Sequence, residues 1–223
     1  MKLNRTHHSG AELPPTLPLF PLAGVLLLPR RPIQLNVFES RYLAMLDDAL
    51  SGERLIGVIQ PLAGEAAVGV TPELCKIGCV GRIVQFAELG DGRCFLTLMG
   101  VARFRIEEEL TTMRPYRIVG ADYTEFGSDF VVGAGEAQVD RQSLLNALRE
   151  FAQANEMKVD WKDIEKAPNE PLVNALSMMS PYGAKEKQAL LEAPDLKTRA
   201  EMLVAISQME IARGAENPPR HLN

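Results

Sequence analysis

At 223 residues, 46% of them hydrophobic, the chain is long and apolar enough for one large or two small domains that fold without disulfide or metal staples. A formal charge of -5 and a pI near 5.4 exclude a polyanion-binding surface spread over the whole molecule. No apolar run approaches the roughly 18 to 20 residues of a membrane helix, and the first 15 residues lack an apolar signal core, so a cytoplasmic protein without membrane contact is expected.

Val25–Leu28 is a short apolar run stopped by Pro29. Ile33, Leu35 and Val37 alternate with Gln34 and Asn36 at the period of a half-buried strand, so Pro29 to Pro32 reads as a connection between two strands. After Phe38 the period lengthens. Tyr42, Leu46, Ala49 and Leu50 recur at helical spacing and Gly52 supplies a stop. Glu39 then stands at a strand-to-helix junction, where a carboxylate suits a capping role. Residues 54–60 (RLIGVIQ) read as a buried strand and 61–73 as a loop. Asp91-Gly92 separates two long β-rich runs, 77–89 and 94–106, and predicts a hairpin, because both turn residues tolerate positive φ. Residues 116–123 (YRIVGADY) supply a last strand. Six or seven strands with Gly78, Gly81 and Gly100 inside them suit a small, bent, barrel-like sheet.

From about Val139 the pattern becomes helical. Leu144, Leu145, Leu148, Phe151 and Ala152 form one stripe, and further helices are read within 169–183, at 184–193 and at 196–213, punctuated by Pro168, Pro181 and Pro194. Four or five helices in a bundle are expected, with a Gly-rich linker near 125–138 and a disordered tail after 213. The fold class is α+β, with lobes at 14–125 and 137–214.

Chemistry-bearing constellations are sparse. His7, His8 and His221 lie near the termini, and Cys75, Cys79 and Cys94 have no partners at metal-ligand spacing. These thiols are expected to be reduced and mostly buried, with no metal, no cofactor and no catalytic residue in the fold. Glu107, Glu108 and Glu109 read as a solvated strand end. Arg82, Arg93, Arg103, Arg105, Arg114 and Arg117 fall in the later strands and turns, which raises RNA binding as a competing function. Acidic residues nevertheless balance the basic ones across residues 14–125, and Arg103 and Arg105 are expected to pair with carboxylates or to snorkel over apolar surface. Met178, Met179 and Tyr182 cluster at a helix end, and methionine suits either core filling or a promiscuous apolar surface.

Residues 17–22 (LPLFPL), 25–46 (VLLLPRRPIQLNVFESRYLAML), 77–106 and 115–123 stand in the order of the amino-terminal domain of the Lon family of ATP-dependent proteases. Residues 184–203 (AKEKQALLEAPDLKTRAEML) resemble that family's helical pair. The resemblance spans about residues 15 to 213. It implies a PUA-like β-barrel followed by a C-terminal helical bundle, with Phe38, Glu39, Arg41 and Tyr42 on a recurring strand-to-helix motif. No GxxxxGK[ST] loop and no family serine motif occurs in the 223 residues, so a standalone domain without ATPase or peptidase chemistry is expected. The implied role is non-catalytic binding of unfolded or hydrophobic protein segments, in service of a protease or chaperone machine. Phe38, Glu39, Arg41, Tyr42, Met178, Met179 and Tyr182 are the candidate contacts, and an RNA-binding PUA-like module is the alternative.

Overall fold

A computed structural model describes residues 6–62, 72–155, 157 and 159–216. Most of the loop read at 61–73 and the end of the tail, 217–223, lie outside the described residues. The chain divides into two compact units, one made of residues up to Val132 together with Pro181–Leu191, the other of Gly133–Ser180 and the residues from Glu192 onward.

The first unit is built on six strands, β1 (Thr16–Pro21), β2 (Pro32–Val37), β3 (Leu55–Ile59), β4 (Ile77–Glu88), β5 (Cys94–Leu110) and β6 (Ile118–Asp122), with helix α1 (Ser40–Ser51) between β2 and β3. Hydrogen-bonded neighbours run β2-β5-β4-β3-β1-β6, and β6 pairs back onto the far half of β5, so the sheet curls into a barrel-like form. Among the described residues β1 pairs with β3 in parallel and the other strand pairings are antiparallel. The 17-residue β5 makes the curl possible, since its first half pairs with β2 and its last residues with β6. Register shifts between Val80 and Gly81, and between Ile83 and Gln85, bend the β4–β5 ribbon. The Asp91-Gly92 hairpin forms as expected, with Gly92 at φ 81°.

Inward-facing Leu17, Leu19, Leu55, Ile59, Val80, Phe104 and Val119 make the core of this unit. The Phe104 ring lies so close to Gly57 and Gly78 that a methyl at either position would sit within 3 Å of it. Every residue of β3 is buried, which fits its unbroken apolar run. Val25–Leu28 differs from the strand reading. Leu26, Leu27 and Leu28 are buried, yet the segment forms no ladder, because it runs from a left-handed Gly24 (φ 71°) to a left-handed Arg30 (φ 61°). An unbroken apolar run signals burial and not conformation. Among the three cysteines only Cys79 is buried; Cys75 and Cys94 are half-buried, and none of the three is in a disulfide.

Helix α5 (Ala184–Glu192) belongs to this unit through Leu191 and docks on the sheet largely through polar contacts. The buried Gln60 side chain donates to the Ala184 carbonyl (3.0 Å), and Gln188 Nε2 donates to the Ile77 carbonyl (3.0 Å). Lys187 Nζ donates to the Gly24 carbonyl (3.0 Å), and desolvation lowers its pKa. Leu190 and Leu191 are buried.

The second unit is helical, with α2 (Arg141–Ala154), α3 (Trp161–Lys166), α4 (Asn169–Met179) and α6 (Leu196–Glu216). Asp140 caps α2 by accepting from the Ser143 amide (3.1 Å), and its carboxyl is held low by its bonds from the Ser143 hydroxyl and amide. Leu144, Leu145, Phe151 and Ala152 of the predicted stripe are buried. Glu136 accepts from the first-turn amide of Glu170 (2.7 Å), and Glu170 accepts from the Gly133 amide (2.7 Å), a mutual clasp that orients α4. At 21 residues α6 is much longer than its neighbours. No helix among the described residues is long and apolar enough to cross a membrane.

Candidate functional site

The strand-to-helix junction forms one wall of a cleft of about 630 Å³ within the first unit. Glu39, Arg41 and Tyr42 line it from the start of α1, and Tyr116 and Arg117 from the approach to β6. Pro21, Pro61, Pro72 and Pro115 complete it with rigid apolar surface that has no backbone N–H to desolvate.

Each side chain is held by a different device. Glu39 occupies the N-cap position of α1, but its side chain makes no cap bond; the Glu39 carbonyl accepts from the Tyr42 and Leu43 amides (2.9 and 3.0 Å). The capping role expected for the carboxylate is therefore replaced by pairing with Arg41, which donates through Nε (3.0 Å) and Nη2 (2.7 Å). Two residues of spacing let this flexible side chain fold back, whereas a Glu at N-cap is one methylene too long to reach the N2 or N3 amide comfortably. Arg41 also stacks on Tyr42, with 4.7 Å from its guanidinium carbon to the ring centroid, and Tyr42 packs against Phe20 at 4.5 Å. Burial raises the Tyr42 pKa, partly offset by Arg41.

Tyr116 donates to Asp48 of α1 at 2.5 Å, and Arg114 reaches the same carboxylate at 2.7 Å. Burial, reinforced by that bond, pushes the Tyr116 pKa up to about 12. Arg117 pairs with Glu109 on β5 and donates to the Pro72 carbonyl at 2.7 Å. Its bond holds the Glu109 carboxyl below the usual range. The cleft thus presents proline surface beside the edges of two largely buried tyrosines, and its charges are neutralised in pairs.

Of the predicted contacts, three line the cleft. Phe38 does not, but it is exposed at 65% immediately before Glu39 in the chain. Tyr182 is buried in the first unit away from the cleft lining, Met179 is exposed at 81% in the second unit, and Met178 is half-buried. The contribution of Tyr116 and the four prolines was not legible in the sequence. Its one local signal, Pro115-Tyr116-Arg117 opening the last strand, is indistinguishable from ordinary strand punctuation.

Five of the six arginines that raised RNA binding are paired with carboxylates. Arg103 pairs with Asp129, Arg105 with Glu125, Arg93 with Asp91, Arg114 with Asp48 and Arg117 with Glu109. A phosphate would have to displace a carboxylate at each.

Residues 16–208 match the family model described as the ATP-dependent protease La (LON) substrate-binding domain. The chain belongs to this family. It is 27% identical to Lon protease of Flavobacterium johnsoniae over 86% of this chain and 24% of that protein. It is likewise 27% identical to Lon protease of Dictyoglomus thermophilum, over 97% of this chain and 27% of the relative. The chain therefore spans about a quarter of the length of these curated relatives. Among solved structures, a Lon N-terminal domain protein from Xanthomonas campestris superposes with a TM-score of 0.61 at 25% identity, covering 85% of this chain and 97% of the other. The N-terminal domain of Lon protease from the Mycobacterium avium complex gives 0.59 at 16% identity, covering 86% and 98%, a likeness of fold.

Proposed function

We propose that this Lon substrate-binding domain is a non-catalytic recognition module that binds unfolded or hydrophobic segments of proteins through the Tyr42–Tyr116 cleft. The supporting observation is the cleft's chemistry: rigid proline surface beside the edges of Tyr42 and Tyr116, with each charged wall residue already paired. Such a surface gains free energy by removing apolar area from water and offers no unpaired charge to attract a polyanion. Glu39, Arg41 and Tyr42 contact the segment directly, and Phe38 extends the apolar surface beside them. Met178 and Met179 offer a separate adaptable surface on the helical unit. A protease or chaperone machine in the cytoplasm is the downstream partner. RNA binding is not favoured, because five of the six arginines it requires are held by carboxylates.

The test is an NMR titration of the labelled protein with a permanently unfolded, reduced and alkylated protein fragment, repeated at low and high salt. Shifts at Arg41, Tyr42 and Tyr116 with micromolar or weaker affinity and little salt dependence support the reading. Shifts that require single-stranded RNA, centre on Arg103–Arg117 and fade as salt rises would replace it with the nucleic-acid function.

A further inference from the structure

Strand β2 ends the hydrogen-bonded order of the sheet, and among the described residues no strand pairs with its outer edge. The phase of the ladder fixes which groups face that edge. The Gly100 amide donates to the Arg31 carbonyl at 2.9 Å, which marks a bonded position. Antiparallel alternation along the register Ile33–Leu98, Leu35–Leu96 and Val37–Cys94 then turns the N–H and C=O of Ile33, Leu35 and Val37 toward β5. Those of Gln34 and Asn36 point outward, and both residues are exposed. Pro32, at the start, has no N–H, so pairing is confined to the following residues.

The side chains complete the surface. Ile33 and Leu35 are only half-buried on the core-facing side, and Phe38 is exposed where the strand runs into Glu39 of the cleft. We infer that the outer edge of β2 is a strand-addition site: an extended polypeptide segment with apolar side chains at alternate positions pairs with Gln34 and Asn36 and continues past Phe38 into the cleft. The inference rests on the recognition function proposed above and names its mode of binding. Main-chain bonds read extended conformation and not sequence, while alternate apolar side chains cover Ile33 and Leu35. A second copy pairing β2 to β2 is the lesser occupant, because a five-residue edge contact falls well short of the roughly 1,200 Å² of a stable interface.

The experiment uses the full chain and two synthetic peptides, Ser-Val-Ser-Leu-Ser-Val-Ser and the same peptide N-methylated at every internal amide. Hydrogen exchange of the Gln34 and Asn36 amides should slow only with the unmethylated peptide, while Ile33 and Leu35 are already protected in the ladder. Asn36→Pro removes one outward donor and leaves the β5 ladder intact, so affinity should fall about tenfold, the loss of one good hydrogen bond. Gln34→Pro gives the same readout if the first variant folds poorly. Shifts confined to Tyr42, Tyr116 and Arg117, with Gln34 and Asn36 exchange unchanged, would overturn strand addition and leave the cleft reading standing. Absence of binding to either surface would overturn both. Protection of Gln34 and Asn36 without peptide, rising with protein concentration, would assign the edge to a second copy and overturn the peptide site.

Discussion

The most demanding test of the fold is Asp129→Ala. Arg103 is a charged side chain only 2% exposed, and Asp129 is 6% exposed. Their pairing is bidentate, Nε to Oδ2 at 2.9 Å and Nη2 to Oδ1 at 2.8 Å, and the Arg103 amide adds a third bond to Oδ2 at 2.9 Å. The remaining guanidinium nitrogen donates to the Leu191 carbonyl of α5 at 3.1 Å, and the Phe126 ring lies 4.8 Å from the guanidinium carbon. Removing the carboxylate takes three bonds from a buried cation, so the loss should be about 3–5 kcal/mol, the usual consequence of breaking a buried pair. The double variant Arg103→Met/Asp129→Leu restores apolar volume without charge and should lose less than the single one. Because the chain has two units, a single unfolding free energy is not the right readout, and the one tryptophan, Trp161, reports on the helical unit. Native-state hydrogen exchange of β5 amides measures the first unit directly, and α5 amides should open with them, because opening β5 withdraws the Arg103 donor from the Leu191 carbonyl. A loss under about 1 kcal/mol in β5, or a double variant worse than Asp129→Ala, would refute the assignment of this pair as a desolvated anchor.

Three further outcomes are expected. Gly100→Ala places a methyl 2.1 Å from the Leu28 carbonyl oxygen, a backbone atom with little freedom to yield, so it should destabilise the first unit by about 1–3 kcal/mol or more in urea melts followed by tyrosine circular dichroism. Tyr116 should show phenolate absorbance only near pH 12; its folded pKa is above the ordinary 10, so stability falls as pH rises between 10 and 12, and Tyr116→Phe should lessen that slope, which Tyr42 and Tyr123, also raised by burial, share. Glu109 is held below its ordinary 4.5 by Arg117, so its contribution is full above pH 4.5 and disappears as pH falls through the lower folded value; Arg117→Gln should flatten that part of an acid-unfolding profile.

Local order was written in the sequence wherever period and punctuation act alone. The alternation of Ile33, Leu35 and Val37, the Asp91-Gly92 turn and the Leu144–Phe151 stripe each follow from interactions among residues close in the chain. The ordered motifs also named the family, and three of the cleft residues came with them. What tertiary structure decided concerns partners distant in sequence. Leu26–Leu28 are apolar enough for a strand, but β5 has no free edge to give them beside β2 and β4, so they bury as coil. Glu39 sits at a helix start, yet its carboxylate goes to Arg41 and not to the helix amides. The pattern of residues 184–192 specifies an amphipathic helix without saying what it covers. Gln60, Ile77 and Arg103, which lie 88 to 128 residues from the groups they bind, place that helix on the β unit while its neighbours in sequence pack elsewhere. Short-range periodicity fixes conformation because it is set by backbone geometry, whereas docking is set by which desolvated donors and acceptors find one another across the fold, information a linear pattern does not carry.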